Sequence, residues 1–194
     1  MPGMRLVVIA ALFTALASAE GITIVLEFDG PHSEQTVAEM KREFEGIVRE
    51  TLLKVGWRTR QEAQREALAN LMIVHFKGKC VLEPVPYLYD ERGPMAFTYS
   101  TDGVVQPFSE VACERVTKAV RSAMFGGDFA KADLLLGRAL GRVLAHEVLH
   151  MMTASGAHGR EGIARHSLSG NELIAPRLPL AAADLERLTD HAHK

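Results

Sequence analysis

Four of the chain's eight histidines and two of its glutamates fall within residues 145–166, AHEVLHMMTASGAHGREGIARH. Two of these histidines belong to HEVLH, an HExxH pattern. Residues four apart stand on one face of a helix. His146 and His150 can therefore aim two imidazoles at a common point, as two ligands of a tetrahedral zinc ion must. Glu147 lies beside the pair, where it can accept a proton from water that the metal has acidified. Zinc sites use three or four protein ligands, so a further group must come from downstream. Gly156 lets the chain turn just before His158, which favours His158 as the third ligand. Glu172, a carboxylate in a following helix, is the alternative. His166 ranks behind both and reads as a solvated loop histidine.

These residues need a frame. The helix that carries the motif spans roughly 129–152 and is apolar on most faces through Leu134, Leu135, Leu136, Leu140, Val143, Leu144, Val148 and Leu149. Such a helix belongs in the middle of a domain, and burying a glutamate and two histidines on it is costly unless they have a partner. Asp128 after Gly126-Gly127 is its expected N-cap. Upstream, GITIVLEFD (21–29) reads as a strand. A helix from Ser33 to about residue 54 follows, with apolar positions every three or four residues, and Gly56 closes it. WRTR and QEAQREALA (57–69) leave strand and helix both open. NLMIVHFKG (70–78) and MAFTYST (95–101) read as strands on either side of a proline-rich loop (83–94), and Asp102-Gly103 marks a turn. A helix from Ser109 to about Phe125 is expected, with a short amphipathic helix at 180–192. The pattern is α/β, with helices covering a small mixed sheet and a loop-rich C-terminal part. Gly137 and Gly141 of the buried helix are expected to allow close packing against that sheet.

The 194 residues fit one domain. Their 47% apolar content and charge of −2 exclude a disordered chain and point away from nucleic acid. Residues 1–19, with Arg5, an apolar run and Ala17-Ser18-Ala19, read as a signal peptide preceding a single domain at 20–194. The alternative is a retained anchor, although the run is short for a membrane span of roughly 20 residues. Cleavage implies a periplasmic or secreted protein with no stable membrane insertion, taken here as a monomer. In an oxidising compartment Cys80 and Cys113 can form a disulfide, which would contribute about 3–4 kcal/mol in the chain-entropy model. Two buried thiols are the other reading.

HEVLH followed by SGAHGREGIAR resembles the metzincin branch of zinc metallopeptidases. It is still more similar to short exported bacterial proteins with HExxH, seven residues, a third His and a Gly-Leu-Met-Arg-like turn. The resemblance covers residues 134–178 and implies a zincin-like fold and Zn2+. It also implies a peptide or protein substrate that pairs with an edge strand above the active-site helix, for which MAFTYST is the candidate. Two positions depart from the metzincin pattern. His158 lies eight residues after His150 rather than six, and Ala164 stands where the turn has methionine. Tyr99, Tyr87, Tyr89 and Arg165 are all open as the group that would face a tetrahedral oxyanion. Two functions follow: a zinc metalloendopeptidase with Glu147 as general base, or a non-catalytic zinc-binding domain of the same fold serving as a structural or partner-binding module.

Overall fold

Buried and solvent-facing residues alternate along the strands, and this sets the layers. In a computed structural model, residues 21–191 are described apart from 66, 69 and 84–92, so the proposed signal peptide, Tyr87 and Tyr89 lie outside the described residues. The elements are β1 (Gly21–Phe28), α1 (Glu34–Val48), β2 (Lys54–Arg58), α2 (Arg60–Ala63), β3 (Leu71–Lys77), β4 (Ala96–Thr101), β5 (Val104–Ala112), α3 (Cys113–Ser122), α4 (Ala132–Met152), α5 (Gly170–Ile174) and α6 (Ala182–His191). The strands form one sheet in the order β2-β1-β3-β5-β4. β2, β1, β3 and β5 run parallel, and β4 returns antiparallel along the edge of β5. Ile22, Ile24, Met72, Val74, Phe76 and Val111 are buried in the same core as residues of α1, α3 and α4. The other face carries ion pairs, Arg60–Glu27 and Lys77–Glu110, the latter at 2.8 Å.

Three expected boundaries move. The helix opened by Ser33, whose Oγ accepts from the Thr36 N–H at 3.0 Å, stops at Val48 rather than near residue 54. Leu52 reverses the chain with φ 58°, which places Gly56 inside β2, where it pairs with Thr23. Residues 109–112 form strand rather than the start of a helix, because β3 and β4 both pair with this segment and two ladders outweigh local helix propensity. Pro107 falls where the β4–β5 register shifts, a place that tolerates a missing N–H. Finally, Asp128 does not cap α4. Its carboxylate accepts from the Phe125 N–H at 2.8 Å and closes a short 3-10 turn ahead of the helix. The hairpin between β4 and β5 turns on Asp102 and Gly103, both with positive φ (52° and 79°), which matches the right-handed twist of the strands it joins.

Gly137 and Gly141 serve a contact with α1 rather than with the sheet. A Cβ on Gly137 would lie 2.6 Å from the Thr36 carbonyl oxygen, and one on Gly141 would lie 2.6 Å from that of Met40. Backbone cannot yield as a side chain can. Gly137→Ala is therefore expected to push α1 from α4 and destabilise the fold by about 1–3 kcal/mol, read as a lower urea midpoint at unchanged slope. Arg142, on the same helix, is completely buried. It donates to Glu43 of α1 at 2.7 Å, to the Ala175 carbonyl at 2.8 Å and to the Glu172 carbonyl. One guanidinium thus ties α1 and α5 to the helix of the HExxH motif.

Candidate metal centre and catalytic cleft

Helix α4 delivers His146, Glu147 and His150 at its C-terminal end. The His146 Nδ1 contacts the Ile163 carbonyl at 2.8 Å, and the His150 Nδ1 contacts the Ser155 carbonyl at 2.7 Å. A carbonyl only accepts, so both Nδ1 atoms carry the proton and both Nε2 atoms present lone pairs. Those two Nε2 atoms face each other at 3.0 Å. Two lone pairs so close repel unless a cation sits between them. Zinc–nitrogen bonds of about 2.0–2.1 Å in a tetrahedron place ligand nitrogens about 3.3 Å apart, so the donor set fits a zinc ion.

The loop after α4 brings in the third imidazole. One nitrogen from each of His146, His150 and His158 lies within 4.8 Å of the others. The turn that achieves this is not made at Gly156. Ala154 adopts the left-handed conformation with φ 46°, and the Ser155 N–H returns to the His150 carbonyl at 3.2 Å. The Gly159 N–H donates to the Ala164 carbonyl at 2.8 Å, fastening the His158 loop to the 3-10 turn at Gly162–Ala164. Gly162 has φ 66°, and a Cβ there would meet the Pro179 carbonyl at 2.6 Å; only glycine suits both demands. Ala164, in place of the methionine of the resembled turn, is buried with Leu149 and Leu188 of α6.

Glu172 is not brought to this group. Its carboxylate accepts from the Ser169 N–H and hydroxyl in a capping box at the start of α5, and it pairs with Arg165. Hydrogen bonds from Ser169 and the Arg165 charge hold it below the ordinary carboxylate range. His166 lies beside His158, with ring centroids 4.7 Å apart and planes tilted by 52°.

Burial pushes the His146 pKa down to about 4, helped by the neighbouring imidazoles. Burial and the facing His150 and His166 likewise lower that of His158. Both shifts favour the neutral imidazole that a cation requires. Burial drives Glu147 the other way, up to about 7, against a lowering hydrogen bond from Thr98.

No protein-family model matches the chain, and no curated protein matches it. Among solved structures, archaemetzincin from Methanopyrus kandleri aligns with a TM-score of 0.54 at 13% identity, over 90% of this chain and 97% of that one. The fold is that of archaemetzincin.

Within the archaemetzincin fold, β4 is an edge strand of the sheet among the described residues and packs against α4, as expected of MAFTYST. Its alternation sorts the hydroxyls. The Tyr99 hydroxyl donates to Glu110 at 3.2 Å, and Glu110 pairs with Lys77 among the ion pairs of the far face. Thr98 points inward, and its hydroxyl donates to the Glu147 carboxylate at 2.7 Å. Tyr99 is therefore removed as an oxyanion group. Thr98 is a residue that the sequence did not single out, since a threonine in a strand carries no motif and its role exists only once β4 lies over α4. Thr98→Val is expected to raise the Glu147 pKa, because the lost hydrogen bond favoured the ionised form. The acid limb of the proposed kcat/KM–pH profile then moves up by about one pH unit.

Proposed function

We propose that the chain is an exported zinc metalloendopeptidase. The observation that carries this reading is the convergence of His146, His150 and His158 nitrogens within 4.8 Å, beside a buried glutamate in a cleft lined by edge strand β4. His146, His150 and His158 would hold zinc. When bound, the ion would acidify water and polarise the carbonyl of the bond to be cleaved. Three protein ligands leave a position open, which is the pattern of catalytic rather than structural zinc.

The chain's own groups account for the rest. Glu147 accepts a proton from the attacking water and later passes it to the departing amine. Its tendency towards a pKa of about 7 suits a group that both takes and returns a proton near neutrality. Thr98 holds that carboxylate in place. An extended peptide would add to the edge of β4 through backbone hydrogen bonds.

Export has two supports: the leader-like residues 1–19 and the Cys80–Cys113 disulfide, with Cα atoms 4.9 Å apart, which suits an oxidising compartment. Among the described residues, no helix is long and apolar enough to cross a membrane.

The deciding experiment is zinc content per chain of residues 20–194, with His158→Ala and Glu172→Ala alongside, and a broad peptide-cleavage screen. The expected result is about one zinc per chain, lost from His158→Ala and kept by Glu172→Ala, together with cleavage that a chelator stops and zinc restores. Zinc held by His158→Ala but not by Glu172→Ala would reverse the ligand assignment. One zinc per chain with no peptide cleaved would favour the non-catalytic zinc-binding module.

A further inference from the structure

We infer that His166 is a catalytic residue of the cleft: its ring N–H donates to the carbonyl oxygen of the bond under attack as that oxygen gains charge. The inference rests on the peptidase reading and extends it. Two cavities, of about 430 and 410 Å³, meet along the cleft and share Pro94, Ala96, His146, Glu147 and His166. A chain running through both would place its reacting bond over these five residues. Two of the five have roles already, as ligand and base. Pro94 and Ala96 have no polar side-chain atom. His166 alone of the five offers an unassigned side-chain donor.

Its place in the fold fits that task. Pro94 and Ala96 stand on the β4 side of the cleft, and His166 comes from the segment that leaves the Gly162–Ala164 turn. Its ring is 4.7 Å from that of His158, yet the convergent nitrogens are those of His146, His150 and His158, without His166. It stands next to the ion's site rather than in it. Among the described residues, other polar side chains near the cleft are engaged: Tyr99 with Glu110, Thr98 with Glu147, and Arg165 with Glu172. A neutral imidazole has one N–H and an imidazolium two, so His166 can donate in either form.

The water oxygen bonds to the carbonyl carbon, and its proton passes to Glu147. The C=O π pair becomes a lone pair on oxygen, the negative charge that the His166 N–H faces. When that charge collapses back, the C–N bond breaks and the amine takes the proton from Glu147. A donor aimed at charge present only in the transition state lowers the barrier without tightening substrate binding.

The test compares two probes by calorimetry in the zinc-loaded Glu147→Gln protein. One is a tetra-alanine peptide and the other its phosphinic analogue, which mimics the tetrahedral anion. Adding His166→Ala is expected to weaken the phosphinic probe about a hundredfold, with peptide affinity and zinc content unchanged. His166→Gln, which restores an N–H donor, should recover most of the loss. Equal weakening of both probes, or of neither, overturns the proposal. So does loss of zinc, or an altered absorption spectrum of the cobalt-substituted protein, since either would make His166 a ligand. Failure of both probes to bind with His166 intact would instead sink the peptidase reading itself.

Discussion

Under the proposed peptidase function, Glu147→Gln is expected to keep its zinc and to lower kcat by about 10²–10⁴, because the amide cannot take the proton from the attacking water. Stability moves in the opposite direction. In the metal-free protein, burial raises the Glu147 pKa from 4.5 to about 7. A carboxyl with a raised folded-state pKa binds its proton more tightly when folded, so the fold loses stability as pH rises from 4.5 to 7. Metal-free Glu147→Gln should therefore exceed the wild type by about 3 kcal/mol at pH 8, and the gap should close near pH 4. Urea titrations at the two pH values, with zinc removed, check this. An equal difference at both would show that the ionised carboxylate is not what strains the fold. Stability given up at a proton-handling group is a common cost of activity.

Arg142→Ala is expected to destabilise the fold by about 3–5 kcal/mol, the usual consequence of removing one member of a buried ionic cluster. The side chain is fully buried. Its loss removes the partner of Glu43 and the donor to the Glu172 carbonyl, and leaves the Ala175 carbonyl only the longer bond from Arg138 at 3.3 Å. Lysine should rescue little, because one ammonium cannot reproduce a planar fork aimed at three acceptors. The readout is the urea midpoint, with zinc content measured in parallel. The ligands lie elsewhere on α4 and in its following loop, so zinc should still bind to whatever fraction remains folded. A loss below about 1 kcal/mol would show that water can replace the guanidinium at those acceptors.

How much of this was legible in advance depends on whether a feature is local or long-range. HEVLH placed two imidazoles and a carboxylate on one helical turn, because the α-helical period is a property of the segment itself. The strand at 95–101 with its Asp102-Gly103 turn and the leucine-rich helix are legible for the same reason. Residues 109–112 read locally as helix, because what makes them strand is hydrogen bonding to β3 and β4, which lie outside any local window. Gly137 and Gly141 were seen as a close contact, but their partner is α1, and nothing in a local pattern names the partner of a smooth helix face.

The sequence by itself determined the chemistry within reach: an HExxH turn on a buried helix, candidate third ligands a few residues on, and a pair of cysteines. The tertiary structure alone decided which candidates converge. His158 reaches the pair because Ala154 turns left-handed and Gly159 is fastened to Ala164, while Glu172 is turned into a capping box and an ion pair. It alone also placed Thr98 on the carboxylate and His166 at the meeting of two cavities. The physical reason is the range of the forces. Helical periodicity and turn preference act over a few residues, whereas the meeting of a β4 hydroxyl with an α4 carboxylate 49 positions away follows from burying the whole core at once.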